Sequence, residues 1–121
     1  MQLKQQTQTL IEQCDLAVAR FHDMRARDAV PDFFGDVKPH ADFVHGLLLH
    51  YRESAAQWIE IERPKYMRMP QIDNLIDAME QFIVQSFYKE TSKKRFLQSV
   101  QSVHYTLSSI LRYLEEDGDA K

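Results

Sequence analysis

A single cysteine, three glycines and four prolines in 121 residues exclude several classes of protein at once. One thiol cannot close an intramolecular disulfide, so Cys14 suits a reducing compartment, and the chain is read as cytoplasmic. So few glycines and prolines cannot supply the turns of a sheet protein, which leaves the all-α class. The longest apolar run, Leu16-Ala17-Val18-Ala19, falls far short of the roughly 20 residues that cross a bilayer. The start, Met1-Gln2-Leu3-Lys4-Gln5-Gln6, is polar and has no signal-peptide pattern. An excess of positive charge is also missing: the net charge of −3 repels nucleic acid and anionic membranes. What is present is ordinary for a globular domain, with 44% hydrophobic and 27% charged residues. The chain can bury one continuous core, so residues 1–121 are expected to form one domain.

Apolar spacing carries the architecture, because steps of four and three keep one stripe facing a neighbouring helix. The first stripe reads Leu3, Thr7, Leu10, Cys14, Ala17, Phe21, Met24, and the second Val37, Ala41, Val44, Leu48, Tyr51, Ala55, Trp58. A third runs Ile72, Ile76, Met79, Ile83, widened by Leu75, Phe82 and Phe87; a fourth runs Phe96, Val100, Val103, Leu107, Ile110, Leu114. Pro31, Pro39, Pro64 and Pro70 fall between the stripes or in a first turn, where a missing N–H costs nothing. Helices are therefore expected over 2–28, 37–62, 70–89 and 92–116, with a polar, frayed tail at 117–121. Connections this short force antiparallel neighbours, and a repeat of seven implies shallow, coiled-coil-like packing. The expected fold is an antiparallel up-down-up-down four-helix bundle.

Several short strings sharpen this reading: Asp32-Phe33-Phe34 with Lys38-Pro39, Arg63-Pro64-Lys65-Tyr66, Lys93-Lys94-Arg95-Phe96, and Val103 with Tyr105-Thr106-Leu107. In order and spacing they resemble the YppE-like family of Firmicute bacteria, over most of the chain. The resemblance implies a small cytoplasmic helical bundle and supplies no catalytic residues.

A di-metal centre in a bundle needs inward Glu residues and two Glu-x-x-His pairs. Here only Asp42 and His45 share a helix face among the histidines, so no metal site and no cofactor is expected. His104 belongs to a flanking stripe with Leu97 and Leu111, as a half-buried histidine with one hydrogen bond. Cys14 occupies a core position, where a thiol packs as a small hydrophobe rather than reacting. No Ser-His-Asp order or glycine-rich phosphate loop appears, and no catalytic residue is assigned.

Two clusters stand out. Arg63-Pro64-Lys65-Tyr66-Met67-Arg68 joins three cations and an aromatic ring on one loop. Arg63, Lys65, Tyr66 and Arg68 could hold an anion or a partner; alternatively, the cations cap the second helix and pair with Glu60 and Glu62 while Tyr66 covers the bundle end. Lys93, Lys94 and Arg95 oppose the dipole at a helix N-terminus, which calls for pairing with Asp28, Asp32 and Asp36 or for an external anion. Phe33 and Phe34 are expected to plug that end. The clusters fall at opposite poles, so no continuous stripe can track a phosphate backbone.

The sequence thus points to a protein-interaction module with another protein as partner, no membrane and no nucleic acid, and leaves monomer or homodimer open. Its competitor is a small-molecule or metal-dependent enzyme with a site in the interior, for which Thr7, Ser86 and His104 are the inward polar candidates.

Overall fold

The computed structural model describes residues 2–116 in full and the backbone of 117–120, which continues the last helix, so the frayed tail expected from 117 is helical as far as Ala120. Among the described residues four α-helices follow one another, α1 (Gln2–Ala26), α2 (Lys38–Glu62), α3 (Met69–Gln85) and α4 (Lys93–Ala120), with a π-helical turn (Phe33–Val37) leading into α2. Neighbours in sequence are neighbours in space, and α4 closes the ring against α1. Cross-helix partners run in opposite directions along each adjacent pair. Thr7 meets Tyr51 and Arg20 lies by His40 between α1 and α2, while Asp15 faces His104 and Phe21 stacks on Phe96 between α1 and α4. The chain is an antiparallel four-helix bundle.

The stripes meet as expected. Leu10, Cys14, Ala17, Phe21, Leu48, Tyr51, Ile72, Met79, Phe82, Phe96, Leu107 and Ile110 are at most 1% exposed. Burial of each large apolar side chain contributes about 1.5–3 kcal/mol, so the stripes, rather than helix propensity, hold the bundle together. Phe96 is its aromatic centre, stacked on Phe21 at 4.4 Å between ring centroids and edge-on to Phe82 at 6.3 Å.

Two further ends differ from the sequence reading for reasons the bonds show. The third helix stops at Gln85, short of the expected 89, because Ser86 donates its hydroxyl to the Ile83 carbonyl at 2.6 Å and Thr91 donates to the Gln85 carbonyl at 2.9 Å. Those bonds satisfy the last carbonyls and turn the chain into a short connection. Before α2, the Val37 N–H reaches back to the Asp32 carbonyl at 3.3 Å and the Asp36 carboxylate accepts the Asp32 N–H at 3.0 Å. The wider turn places Val37, fully buried, over the core and leaves Phe33 and Phe34 outside, 47% and 76% exposed. The expectation that these phenylalanines plug the end is overturned: Val37, followed by Phe87, does it.

Candidate functional site

The α2–α3 connection builds its shape from its own bonds. α2 ends at Arg63, whose backbone is left-handed (φ 46°, ψ 57°) with its N–H on the Ile59 carbonyl at 3.0 Å. Pro64 follows, unable to continue a helix. Arg68 then ties the loop together: its guanidinium donates to the carbonyls of Pro64 at 2.6 Å and Met67 at 3.3 Å, while its N–H donates to the Gln71 side chain at 2.7 Å. The last contact caps the start of α3. Met67 is the plug, 3% exposed, and Tyr66 stands outward at 69%. The expectation that Tyr66 covers the bundle end is therefore corrected, since Met67 occupies that place.

Outward placement puts Tyr66 at the mouth of a groove of about 420 Å³ between this connection and α4. Its N–H donates to the Tyr113 hydroxyl at 3.2 Å, and Tyr113 leans edge-on against Trp58 at 6.0 Å. Tyr105, 70% exposed, forms the opposite wall, with Thr106, Ser109, Arg112 and Glu116 along α4 and Gln71 on α3. Thr106 and Ser109 turn their hydroxyls back to the carbonyls of Ser102 and Tyr105, at 3.2 and 3.0 Å. The groove thus offers aromatic walls, a thioether floor at Met67, and the cation of Arg112 at its rim. Lys65 lies 5.3 Å from the centre of the Tyr66 ring, close enough for a cation–π contact.

Of the seven candidates, the structure gathers Arg63, Lys65, Tyr66 and Arg68 at this pole and Lys93, Lys94 and Arg95 at the other. Arg68 is spent on the loop, Arg63 acts through its backbone, and Lys65 and Tyr66 face outward. Sequence reasoning missed Tyr105, Arg112 and Tyr113. The signal was there: Tyr105 and Arg112, like Thr106 and Tyr113, are one heptad apart and so share the flank of α4 beside the stripe.

At the opposite pole the pairing expected for Lys93, Lys94 and Arg95 is not made. Asp28 takes Lys89 at 2.6 Å instead, which holds the Asp28 carboxyl below its usual range and raises the Lys89 ammonium. Asp36 is occupied by the Asp32 N–H, and Arg25 donates to the Thr91 carbonyl at 3.3 Å. Among the described residues, Lys93, Lys94 and Arg95 have no ion pair; they are exposed at the start of α4.

Thr7, Tyr51 and Ser86, the inward hydroxyls, are bonded within the fold. Thr7 donates to the Leu3 carbonyl at 2.7 Å and meets the Tyr51 hydroxyl at 3.0 Å, and burial pushes the Tyr51 phenol above its ordinary range. Ser86 accepts from Arg20 Nε at 2.9 Å. Burial, with the Asp15 charge adding to it, pushes the Cys14 thiol up to about 12, which leaves it protonated. His104 is half-buried between Ser108 at 3.3 Å and Asp15 at 3.6 Å. Asp42 pairs with Lys38, and His45 Nδ1 meets Glu80 at 2.5 Å, so the two do not converge. Among the described residues no group of three His, Cys, Asp or Glu side chains could hold a metal ion.

Comparison with known proteins places this geometry. A family model described as a bacterial domain of unknown function, DUF1798, matches residues 7–114. The uncharacterized protein YppE of Bacillus subtilis (strain 168) is 30% identical over 108 residues, covering 89% of this chain and 88% of that protein. Its crystal structure superposes with a TM-score of 0.92 at 28% identity, over 99% of this chain and 97% of that one. A crystal structure from Listeria innocua, of a protein of unknown function, gives 0.91 at 26% identity, over 97% and 94%. By sequence and by fold, then, the chain belongs to the bacterial DUF1798 family, as the resemblance to YppE implied.

Proposed function

We propose that this protein is a cytoplasmic interaction module whose tyrosine groove takes an acidic segment of another protein. The observation that carries the reading is the groove itself, in which exposed Tyr66 and Tyr105 stand on bonded, rigid supports beside Met67 and Arg112. Tyrosine and arginine are among the side chains that most often anchor interfaces: tyrosine offers a large contact area with a polar end and few rotors, and arginine a planar cation with several donors. The cations within reach of an occupant, Lys65 beside Tyr66 and Arg112 on the groove wall, outnumber the one carboxylate of the lining, Glu116, which favours an acidic segment. Loops on a stiff scaffold are also where binding groups tend to sit. The cytoplasmic part of the proposal rests on cysteine usage, a single thiol with no second cysteine in the chain to pair with.

The test is selection from a peptide library against the purified chain. Peptides with a carboxylate beside an aromatic or branched apolar residue should be enriched. Arg112→Glu combined with Tyr105→Ala should abolish that enrichment, and Lys94→Glu, at the far pole, should leave it intact. Equal enrichment by the groove variant and the unchanged chain would sink the reading.

A further inference from the structure

The wall that α4 gives to the tyrosine groove is a single stripe. Tyr105, Ser109, Arg112 and Glu116 follow one another at steps of four, three and four, the spacing that keeps side chains on one face of a helix. This stripe lies beside the one that α4 buries, Leu107, Ile110 and Leu114. It runs for about 16 Å, or about three turns, at 1.5 Å per residue. Tyr105 stands out at one end of it, whereas the middle, Ser109 with Thr106 next to it, is made of small side chains. The face has the periodicity of a helix seam and the depth of an empty one.

Most polar groups along the groove are already bonded inside the chain. The Tyr66 N–H is given to the Tyr113 hydroxyl, and the Gln71 side-chain oxygen accepts the Arg68 N–H. Thr106 and Ser109 donate to carbonyls of α4, whose main chain is otherwise spent on its own helix. What remains sits at the ends of long side chains: the hydroxyls of Tyr66 and Tyr105, the carboxylate of Glu116, and the guanidinium of Arg112, which gives one N–H to Ser109 at 3.5 Å. An extended segment laid here would bring an N–H and a C=O with every residue and find no backbone edge to pair them. An α-helix arrives with its backbone already paired.

We infer that the occupant of the groove is an amphipathic α-helix of about three turns with an acidic flank, packed along α4 as a fifth helix of the bundle. The inference rests on the acidic-segment reading above and gives that segment its shape. Small Thr106 and Ser109 let the two helix axes approach to the usual 8–10 Å or so. Apolar side chains of the occupant, spaced three and four apart, fall between the Tyr66 and Tyr105 rings, and carboxylates beside them meet Arg112 and Lys65.

Two peptide libraries of the same composition, glutamate, alanine, leucine and phenylalanine, decide the shape. In one the apolar residues fall at steps of three and four; in the other they alternate with glutamate. Selected against the purified full chain, only the first should be enriched, and its isotope-labelled winners should show helical Cα chemical shifts when bound. A proline at the centre of a winner should weaken binding at least about tenfold. Ser109→Trp, which fills the line of contact, should weaken it as much while melting as the unchanged protein does. Arg112→Glu should pass the preference to winners remade with lysine for glutamate. Equal or greater enrichment of the alternating library overturns the helix, and its loss with Arg112→Glu would leave the acidic groove standing; enrichment of neither library overturns both.

Discussion

The two poles of the bundle reverse the chain and close the core by different means. At the α2–α3 pole the closure is local: Met67 plugs the core, and Arg68 binds carbonyls of Pro64 and Met67 within its own loop. At the other pole the closure is made between two connections far apart in sequence, through Asp28 with Lys89 and Arg25 with Thr91. Each pole displays aromatic rings to solvent, Tyr66 and Tyr105 at the first and Phe33 and Phe34 at the second. The first sets them over a groove with a bonded base, whereas Phe33 and Phe34 stand edge-on to each other. The lesson is that exposure alone does not mark a site; what matters is whether the exposed ring stands on a support whose order is independent of it.

The strongest way to press the comparison is to remove one large side chain beneath each pole. Phe96→Ala should destabilise by about 3–5 kcal/mol, because it empties the space between Phe21 and Phe82 at the centre of the aromatic cluster. Met67→Ala should cost about 2 kcal/mol, since Met67 covers the core from one side only. Urea unfolding of the two variants measures both. Equal losses would mean that the Met67 plug is as central as the aromatic cluster, and the division into local and long-range closure would fail.

Acid should separate the poles next. His40, near the long-range pole, has its pKa lowered from 6.5 by burial and then by the Arg20 charge. The unfolded chain therefore binds this proton more readily, and stability present above pH 6.5 is lost as pH falls through the lower folded value. Asp28 and Asp23 are also lowered, from 3.8, so their contribution is lost only below that pH. Thermal melts should decline already between neutral pH and about 5, with a second decline in stronger acid. His40→Gln should remove the first decline and spare the second. An unchanged profile in that variant would show that His40 does not couple the pole to pH.

Much of this was legible in the chain. The stripes of α1 and α4, from Leu3 to Met24 and from Phe96 to Leu114, predict their buried residues because every member lies on one face of an uninterrupted helix. Connections obey no such period, and there the reading failed. Phe33 and Phe34 looked like a plug by hydrophobicity, but the π-helical turn gives the buried place to Val37. Lys93 to Arg95 looked paired by proximity, but Asp28 lies nearer Lys89. Of the groove, Tyr66 was found by its unusual loop, whereas Tyr105, Arg112 and Tyr113 sit on the flank of α4, where one helix alone gives no hint of what faces it.

The smallest effect separates the poles by backbone rather than by packing. Both connections begin with a residue other than glycine in the left-handed region, Arg63 at φ 46° and Asp28 at φ 52°. For an ordinary L-residue that conformation costs about 1–2 kcal/mol, while Asp tolerates it because its short polar side chain bonds locally. Glycine relieves the strain but gives back about 0.5–1 kcal/mol through the greater freedom of the unfolded chain. Arg63→Gly should therefore stabilise by up to about 1 kcal/mol. Asp28→Gly should gain nothing, having less strain to relieve and a Lys89 contact to lose. Paired urea midpoints decide it: a gain at residue 28 as large as that at residue 63 would mean that the long-range pole carries the same backbone strain as the local one, and that Lys89 does not hold it in place.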